Sequence, residues 1–177
     1  ALGHQHACTL PESRGHTFPR QVDGVAVTAA LRLDNRPRLC ATLDVDGDVP
    51  DADLVAHAYR RWGVDYPTHL VGAFAAVVWD PERRRLVCAR DHMGVKPVYY
   101  ATTADSVAIA SEPGPLLELD GVDSAPDDHR VGDYLAGRFA DASRTFYADI
   151  SRLPPAHRLV ATADGIDRTR YWSLADV

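Results

Sequence analysis

Residues 72–90, "GAFAAVVWDPERRRLVCAR", constrain the fold of this chain more than any other segment. A mostly apolar stretch, Gly72–Asp80, is followed by the polar turn "PERR" and by a second apolar stretch, Arg85–Arg90. Two apolar stretches of this length joined by a short polar turn are typical of a β-hairpin. Because the first stretch is almost continuously apolar, we expect it to be buried on both faces of its sheet.

Further strand patterns lie on both sides of this hairpin. They cover Val25–Leu33, residues 98–101, residues 106–111, and two stretches around the turn "ADG" in "HRLVATADGIDRTRYW". The strands outnumber the helical patterns, and tight turns join them, so the sequence predicts an α+β fold with mainly antiparallel sheets. The residues expected in the core are Phe74, Val77, Trp79, Val87 and Ile109.

Helical patterns separate the groups of strands. They cover "RPRLCATL", "DADLVAHAYRRW", "EPGPLLEL" and residues 129–139. Asn35 precedes the first of these helices and is expected to be its N-cap. Gly63 follows the second and is expected to end it.

Composition argues against two classes of partner. The net charge is −6, whereas a nucleic-acid-binding surface needs an excess of basic residues. The sequence contains neither an apolar run of the ~20 residues that span a bilayer nor a secretory signal at its start. Cys8, Cys40 and Cys88 lack the spacing of a disulfide framework, which favours a reducing compartment. We therefore expect a cytoplasmic protein without nucleic-acid or membrane partners.

Two groups of side chains could take part in metal or thiol chemistry. Cys88 alternates with Val87 and Ala89 in a strand pattern, so we expect a buried thiol rather than a nucleophile. His4, His6 and Cys8 alternate and could share one strand face, but no further residue completes a tetrahedral metal site. We therefore expect no metal to be bound by this chain.

The segment "RDHMGVKP", residues 90–97, connects two predicted strands and could be either a catalytic loop or a structural turn. Its polar side chains are Arg90, Asp91, His92 and Lys96. Gly94 gives the turn free backbone angles, and Pro97 is suited to the entry of the next strand. We favour a structural turn braced by Asp91, in which charged side chains bind backbone groups; the catalytic alternative stays open.

Four stretches of the sequence together resemble a known family. They are "VGAFAAVVWDPERRRLVCARDHMGVKPVYYA", "ASEPGPLLEL", "RTFYADISRLPPAHRLV" and "RYW". In this order they are similar to the amino-terminal amidotransferase-like domain of the asparagine synthetase superfamily, which includes β-lactam synthetases and lasso peptide cyclases. The resemblance implies an N-terminal-nucleophile hydrolase-like fold, a four-layer αββα sandwich over residues 1–177. We expect the first strand of that fold to be missing ahead of Ala1.

The same resemblance implies partners for the domain. A synthetase domain of the same protein is expected after residue 177, and it would use ATP and Mg to activate a carboxylate. This chain itself would need no cofactor. A homodimer or a peptide-processing protein is a further expected partner.

Active members of the family begin with a cysteine that releases ammonia from glutamine, and this chain departs from their pattern. Ala1 stands at its start, and His6 takes the place of a glutamine-holding arginine. Ala30 and Leu31 take the places of an Asn-Gly pair whose groups form the oxyanion hole. Only Asp51 matches by position, where an acid would hold the substrate amino group. These residues would form a vestigial glutamine pocket without catalytic residues.

The resemblance and these departures leave several functions to consider. The first is a non-catalytic scaffold domain of an ATP-dependent amide-forming enzyme, which joins a carboxylate to a substrate amine. The second is the glutamine-hydrolysing domain of an asparagine synthetase whose cysteine-bearing segment is absent from this chain. The third is a free-standing binding module. Loss of even one oxyanion donor costs ~2.7–4 kcal/mol of transition-state stabilisation, so the first function is favoured.

Overall fold

The computed structural model describes residues 2–4 and 18–176, which form two antiparallel sheets. The strands are β1 (Arg20–Val22), β2 (Val25–Leu33), β3 (Gly72–Asp80), β4 (Arg85–Arg90), β5 (Tyr99–Thr102), β6 (Val107–Ala110), β7 (Ile150–Arg152), β8 (His157–Thr162) and β9 (Gly165–Arg170). The larger, six-stranded sheet has the order β1-β2-β3-β4-β8-β9, and the three-stranded sheet has the order β6-β5-β7. The α+β prediction with antiparallel sheets is confirmed.

The helices lie outside the two sheets. They are α1 (Arg36–Leu43), α2 (Asp51–Trp62), α3 (Gly114–Leu117) and α4 (Asp128–Leu135), with short 3₁₀ helices at Gly63–His69 and Leu174–Asp176. Within the described residues, no helix combines the length and the apolar character that crossing a membrane requires. The fourth helix is shorter than the predicted span of residues 129–139, because it ends before Gly137, whose φ is +67°.

Three apolar layers hold the elements together. On one face of the six-stranded sheet, α1 and α2 bury residues that include Leu39, Leu54, Val55 and Tyr59. Between the sheets lie buried residues that include Cys88, Tyr100, Leu153 and Leu159. On the outer face of the three-stranded sheet, Leu116 of α3 packs with Ala101 and Ile150. The order helix, sheet, sheet, helix confirms the predicted αββα sandwich.

The β3–β4 hairpin is present, but β3 is not buried on both faces. Phe74 and Val87 are fully buried beneath the helices. On the opposite face Val77 is half-buried, and Trp79 is 36% exposed. Ile109 in β6 is also only half-buried. The prediction of a core position is therefore wrong for Trp79, because the three-stranded sheet consists of short strands and leaves the end of β3 uncovered.

Asn35 does not cap α1 with its side chain, contrary to the prediction. Its amide nitrogen donates to the His69 carbonyl at 2.9 Å, and its Oδ1 accepts from the Val71 N–H at 3.0 Å. These contacts join the start of α1 to the segment that enters β3. The prediction for Gly63 is confirmed, since α2 ends there with a φ of +61°.

Asp80 is a fully buried carboxylate at the end of β3. Its Oδ2 accepts from the Tyr59 hydroxyl at 2.7 Å and from Arg83 Nη1 at 3.0 Å, and its Oδ1 accepts from the Arg83 N–H at 3.1 Å. Burial by itself would raise the pKa of Asp80, but the hydrogen bonds from Tyr59 and Arg83 outweigh burial and lower it to about 2. The ionised form is therefore the one that stabilises the hairpin.

Asp80→Asn is expected to weaken the acid dependence of folding. Because the folded-state pKa lies below the ordinary value of about 3.9, the carboxylate contributes stability above about pH 4, and this contribution is lost as the pH falls towards 2. We expect the variant to be less stable at neutral pH. We also expect its free energy of unfolding to change less between about pH 4 and pH 2, by up to about 2 kcal/mol.

Urea unfolding at several pH values measures this effect, and Asp105→Asn in an exposed turn is the matched control. An Asp80→Asn variant whose unfolding free energy falls with acid as steeply as that of the unmodified chain would contradict the assignment.

Candidate functional site

Asp91 lies where β4 ends and is 1% exposed. Its Oδ1 accepts from the N–H groups of Met93 at 3.1 Å and Val95 at 2.9 Å. Its Oδ2 accepts from the N–H groups of Lys96 at 2.9 Å and Phe74 at 3.2 Å. One carboxylate therefore holds both the turn that follows it and the neighbouring strand β3.

Arg90 supplies the complementary donors of the same turn. Its guanidinium donates to the carbonyl oxygens of Lys96 at 2.7 Å, Gly94 at 2.6 Å and Leu153 at 2.6 Å. The acceptor at Leu153 ties the turn to the segment that enters β8. Since Arg90 and Asp91 both bind backbone groups, they fix the shape of residues 90–97.

Gly94 and Pro97 allow this turn to form. Gly94 has a φ of +67°, and a Cβ atom there would lie 2.8 Å from Pro155 Cγ and 2.9 Å from Arg90 Cζ. A side chain at this position would therefore meet both backbone strain and a steric clash. Pro97 is exposed and stands two residues before β5, where its missing N–H interrupts no strand pairing.

His92 is the one polar side chain of the turn that packs among aromatic rings. Its ring makes edge contacts with Tyr171, at a centroid distance of 5.4 Å, and with Trp172, at 5.1 Å. The Tyr171 hydroxyl donates to the Arg90 carbonyl at 2.6 Å. Burial lowers the pKa of His92, and nearby Asp91 opposes this effect only in part. The imidazole is therefore neutral at neutral pH, and it attaches residues 171–172 to the turn.

A cleft of about 360 Å³ opens beside the turn. Its lining comes from β2 and β3 at their paired ends, from the turn, and from the segment after β9. The residues are Arg32, Asp34, Val71, Gly72, Ala73, Asp91, His92, Met93, Val95 and Trp172. We call it the turn cleft. Its polar groups are largely satisfied, since Asp91 is buried under its own hydrogen bonds and Arg32 Nε donates to Asp34 Oδ1 at 2.9 Å.

Ala30 and Leu31 of the predicted vestigial pocket lie in β2, away from the turn cleft. Ala30 and Leu31 are neighbours in β2, so their side chains point to opposite faces of the sheet. Leu31 packs against the core under the helices, whereas Ala30 is exposed and pairs with Ala75 on the face towards the other sheet. His6 lies outside the described residues. Neither Ala30 nor Leu31 lines the turn cleft.

Asp51 begins α2 and is engaged in contacts within the domain. Its Oδ2 accepts from the Leu33 N–H at 3.1 Å, and its Oδ1 is paired with Arg36. Arg36 also donates to the carbonyl oxygens of Gly47 at 2.9 Å and Val49 at 2.7 Å. Asp51 and Arg36 thus clamp residues 44–50, the acidic loop between α1 and α2, to the end of β2. A role of Asp51 in holding a substrate amine stays a prediction.

Cys40 and Cys88 are both buried and unpaired. Cys88 lies between the two sheets, and burial raises the pKa of its thiol to about 12. A thiol that stays protonated at neutral pH is a poor nucleophile. The prediction of a structural cysteine at position 88 is confirmed, whereas Cys8 lies outside the described residues.

Comparison with known proteins identifies the family. The sequence model of the family described as "Glutamine amidotransferase domain" matches residues 44–172. The chain belongs to this family. Asparagine synthetase [glutamine-hydrolyzing] 3 of Bacillus subtilis is 31% identical over 125 residues, which are 70% of this chain and 20% of that protein. A putative asparagine synthetase [glutamine-hydrolyzing] of Mycobacterium tuberculosis is 34% identical over 126 residues, 70% of this chain and 19% of its own length.

Solved amidotransferases share the fold of this glutamine amidotransferase domain. Glutamine phosphoribosylpyrophosphate amidotransferase from B. subtilis, complexed with ADP and GMP, aligns with a TM-score of 0.56 and 19% identity over 88% of this chain and 31% of its own. A glutamine aminotransferase class-II domain protein from Silicibacter pomeroyi aligns with a TM-score of 0.51 and 14% identity. The predicted superfamily and fold are therefore confirmed, and the subtype stays a prediction. The chain spans only about a fifth of the length of its asparagine synthetase relatives.

Sequence reasoning missed two features of the amidotransferase domain. The sequence pattern predicts only a helical position for Arg36, although a basic residue shortly before an acidic loop is a signal for the clamp on Asp51. The turn cleft joins β2, β3, the turn and Trp172, which are far apart in the sequence. Its signal was the presence of Met93 and Val95, two apolar side chains within an otherwise polar turn.

Proposed function

We propose that this domain is a non-catalytic scaffold of an ATP-dependent amide-forming enzyme of the asparagine synthetase superfamily. It is of the lasso peptide cyclase or β-lactam synthetase type, in which a carboxylate is joined to a substrate amine rather than to ammonia. The observation that carries the proposal is the pair Ala30 and Leu31 in β2, which by the resemblance take the places of the Asn-Gly pair of active members.

The chemistry of this pair is unsuited to an oxyanion hole. The Ala30 methyl has no hydrogen-bond donor, and the loss of one oxyanion donor lowers kcat by about 10²–10³. Leu31 is held by the core beneath the helices, so it has a packing role that a glycine would not fill. Both positions therefore serve the strand rather than a bound glutamine.

The contacts of Asp51 also support the proposal. A carboxylate attracts a substrate ammonium group by its negative charge, so a cation that already neutralises the carboxylate weakens this attraction. In this domain the Arg36 guanidinium is paired with Asp51 Oδ1, and the Leu33 N–H donates to Oδ2. A substrate amine would have to compete with both donors.

The second candidate is an active glutamine-hydrolysing domain. The names of the asparagine synthetase relatives favour it, since they include glutamine hydrolysis. In that case a cysteine-bearing segment absent from this chain would complete the site. A free-standing binding module is the third candidate.

The proposed scaffold has the synthetase domain of the same protein as its partner, placed after residue 177. That domain would bind ATP and Mg, and this chain would need no cofactor. A homodimer or a peptide-processing protein would be a further partner in the cytoplasm.

Glutamate release from glutamine tests the proposal. We expect the full-length protein to release no glutamate at ordinary enzyme rates of ~1–1000 per second, while it joins a carboxylate to an amine in the presence of ATP. Glutamate release at such rates would overturn the proposal in favour of the second candidate.

A gain-of-function variant makes the test sharper. Ala30→Asn with Leu31→Gly, placed behind an N-terminal cysteine, is expected to restore measurable glutamate release. The matched control carries the same two substitutions behind an N-terminal alanine and is expected to remain inactive.

A further inference from the structure

A second, smaller cleft lies on the surface between α1, the end of α2 and the segment that enters β3. Its volume is about 110 Å³. Arg38, Leu39, Thr42, Trp62, Thr68 and His69 form most of its wall, and we call it the α1 cleft. It shares only Val71 with the turn cleft. The proposed function gives the residues of this wall no role.

The α1 cleft is built on a fixed backbone. Asn35 Nδ2 donates to the His69 carbonyl at 2.9 Å, and the Val71 N–H donates to Asn35 Oδ1 at 3.0 Å. On the same side of the cleft the rings of Trp62 and His69 are stacked, with centroids 3.8 Å apart and planes inclined by 17°. Because these groups are held in place before a ligand arrives, little conformational entropy is lost on binding.

Two cations beside the stacked rings lack a carboxylate partner. Arg38 is exposed, and its guanidinium makes no hydrogen bond or ion pair with the residues that the structure describes. Arg61 Cζ lies 5.8 Å from the centroid of the Trp62 ring, and no described carboxylate is paired with it. The carboxylate of nearby Asp65 is already paired with Arg158. In a chain with a net charge of −6, the α1 cleft therefore carries a local excess of positive charge.

This positive charge acts on the imidazole of His69. Burial lowers the pKa of His69, the charges of Arg38 and Arg61 lower it further, and Asp65 opposes them only in part. The imidazole is therefore neutral at neutral pH and has one N–H donor. The indole N–H of Trp62 has no acceptor among the described residues. The cleft thus combines a free guanidinium with neutral N–H donors.

We propose that the α1 cleft binds a small oxyanion, a carboxylate or a phosphate group, with the Arg38 guanidinium as its main donor. A guanidinium presents N–H groups in the fork geometry that carboxylate and phosphate oxygens accept. The volume of about 110 Å³ suits a group of a few non-hydrogen atoms, since drug-sized ligands occupy pockets of ~300–1,000 Å³. A cationic ligand would be repelled by Arg38 and Arg61. The assignment goes beyond the proposed function and does not depend on it.

Titration of the chain with sodium phosphate and with sodium acetate tests the assignment. Sodium chloride keeps the ionic strength constant, and the NMR signals of the His69 ring and the Trp62 indole N–H are followed. We expect these signals to shift with saturation on the order of 1–10 mM anion. A bound anion offsets the charges of Arg38 and Arg61, so the pKa of His69 is expected to be higher with the anion than without it. Saturation by only one of the two anions identifies the oxyanion as a carboxylate or a phosphate.

Arg38→Gln is the variant that removes the main donor. It is expected to weaken binding about ten-fold or more, because the charge-assisted hydrogen bonds are lost. The matched control is Arg138→Gln, which removes the same charge from an exposed position after α4 and is expected to leave binding unchanged. Because Arg38 is exposed, its substitution is expected to leave urea unfolding of the chain unchanged.

Three outcomes would overturn the proposal. Shifts that grow linearly with phosphate and acetate, without saturation, would mean that the anions act only by screening charge. Saturation by sodium chloride at the same concentrations would remove the preference for oxyanions. Equal affinity of Arg38→Gln and the unmodified chain for phosphate and acetate would place the bound anion away from the α1 cleft.

Discussion

Replacement of Asp91 by alanine is expected to lower the free energy of unfolding by about 1–3 kcal/mol, the cost of a buried donor left without an acceptor. The carboxylate accepts from the backbone N–H groups of Phe74, Met93, Val95 and Lys96. Met93 and Val95 have exposed side chains, so water can reach their amides after the substitution. Phe74 is fully buried in β3 and has no such replacement.

Urea unfolding followed by tryptophan fluorescence measures this effect. Asp105→Ala is the matched control, because Asp105 accepts from the Thr103 hydroxyl in an exposed turn. Its effect is expected to stay within about 0.5 kcal/mol. In the full-length protein, any loss of amide formation by Asp91→Ala should follow the loss of folded protein. Unchanged stability together with abolished turnover would instead make residues 90–97 a catalytic loop.

The sequence predicted the elements whose residues form regular patterns. The spans of β2, β3, β4, α1 and α2 agree with the structure. Each of these elements contains an apolar run or an apolar face, and burial of that apolar surface dominates the stability of the element. The short strands β1 and β7 were not predicted, because three residues are too few for periodicity to show.

The misses at single residues have a different cause. Asn35 is a good N-cap by its local sequence, but Val71 and His69 compete for its amide group from the far side of a long connection. Trp79 continues an apolar run, yet its exposure depends on how far the other sheet extends. The partners of Asn35 and the exposure of Trp79 both depend on segments that are distant in the sequence. The same holds for the candidate site, in which the residues of the turn could be predicted but not the walls of the turn cleft.

Among the glycines of this domain, Gly72 is the position at which substitution by alanine is expected to lower the free energy of unfolding most. Its φ is +143°, and a Cβ atom there would lie 2.1 Å from the Arg32 carbonyl oxygen and 3.1 Å from the Asp34 nitrogen. Both are backbone atoms of the neighbouring segment, so no side-chain rotation relieves the overlap. We expect Gly72→Ala to lower the free energy of unfolding by about 3–5 kcal/mol, the sum of backbone strain and overpacking.

Alanine substitutions at two other glycines distinguish the effect of backbone strain from the effect of overpacking. Gly137 has a φ of +67° with nothing within 4 Å of its Cβ position, so Gly137→Ala is expected to show backbone strain alone, about 1 kcal/mol. Gly132 lies in α4 with open space around it, so Gly132→Ala is expected to be neutral or slightly stabilising. If Gly72→Ala costs no more than Gly137→Ala, β2 and β3 move apart to accept the methyl group. Their close approach at the turn cleft is then adjustable rather than fixed by Gly72.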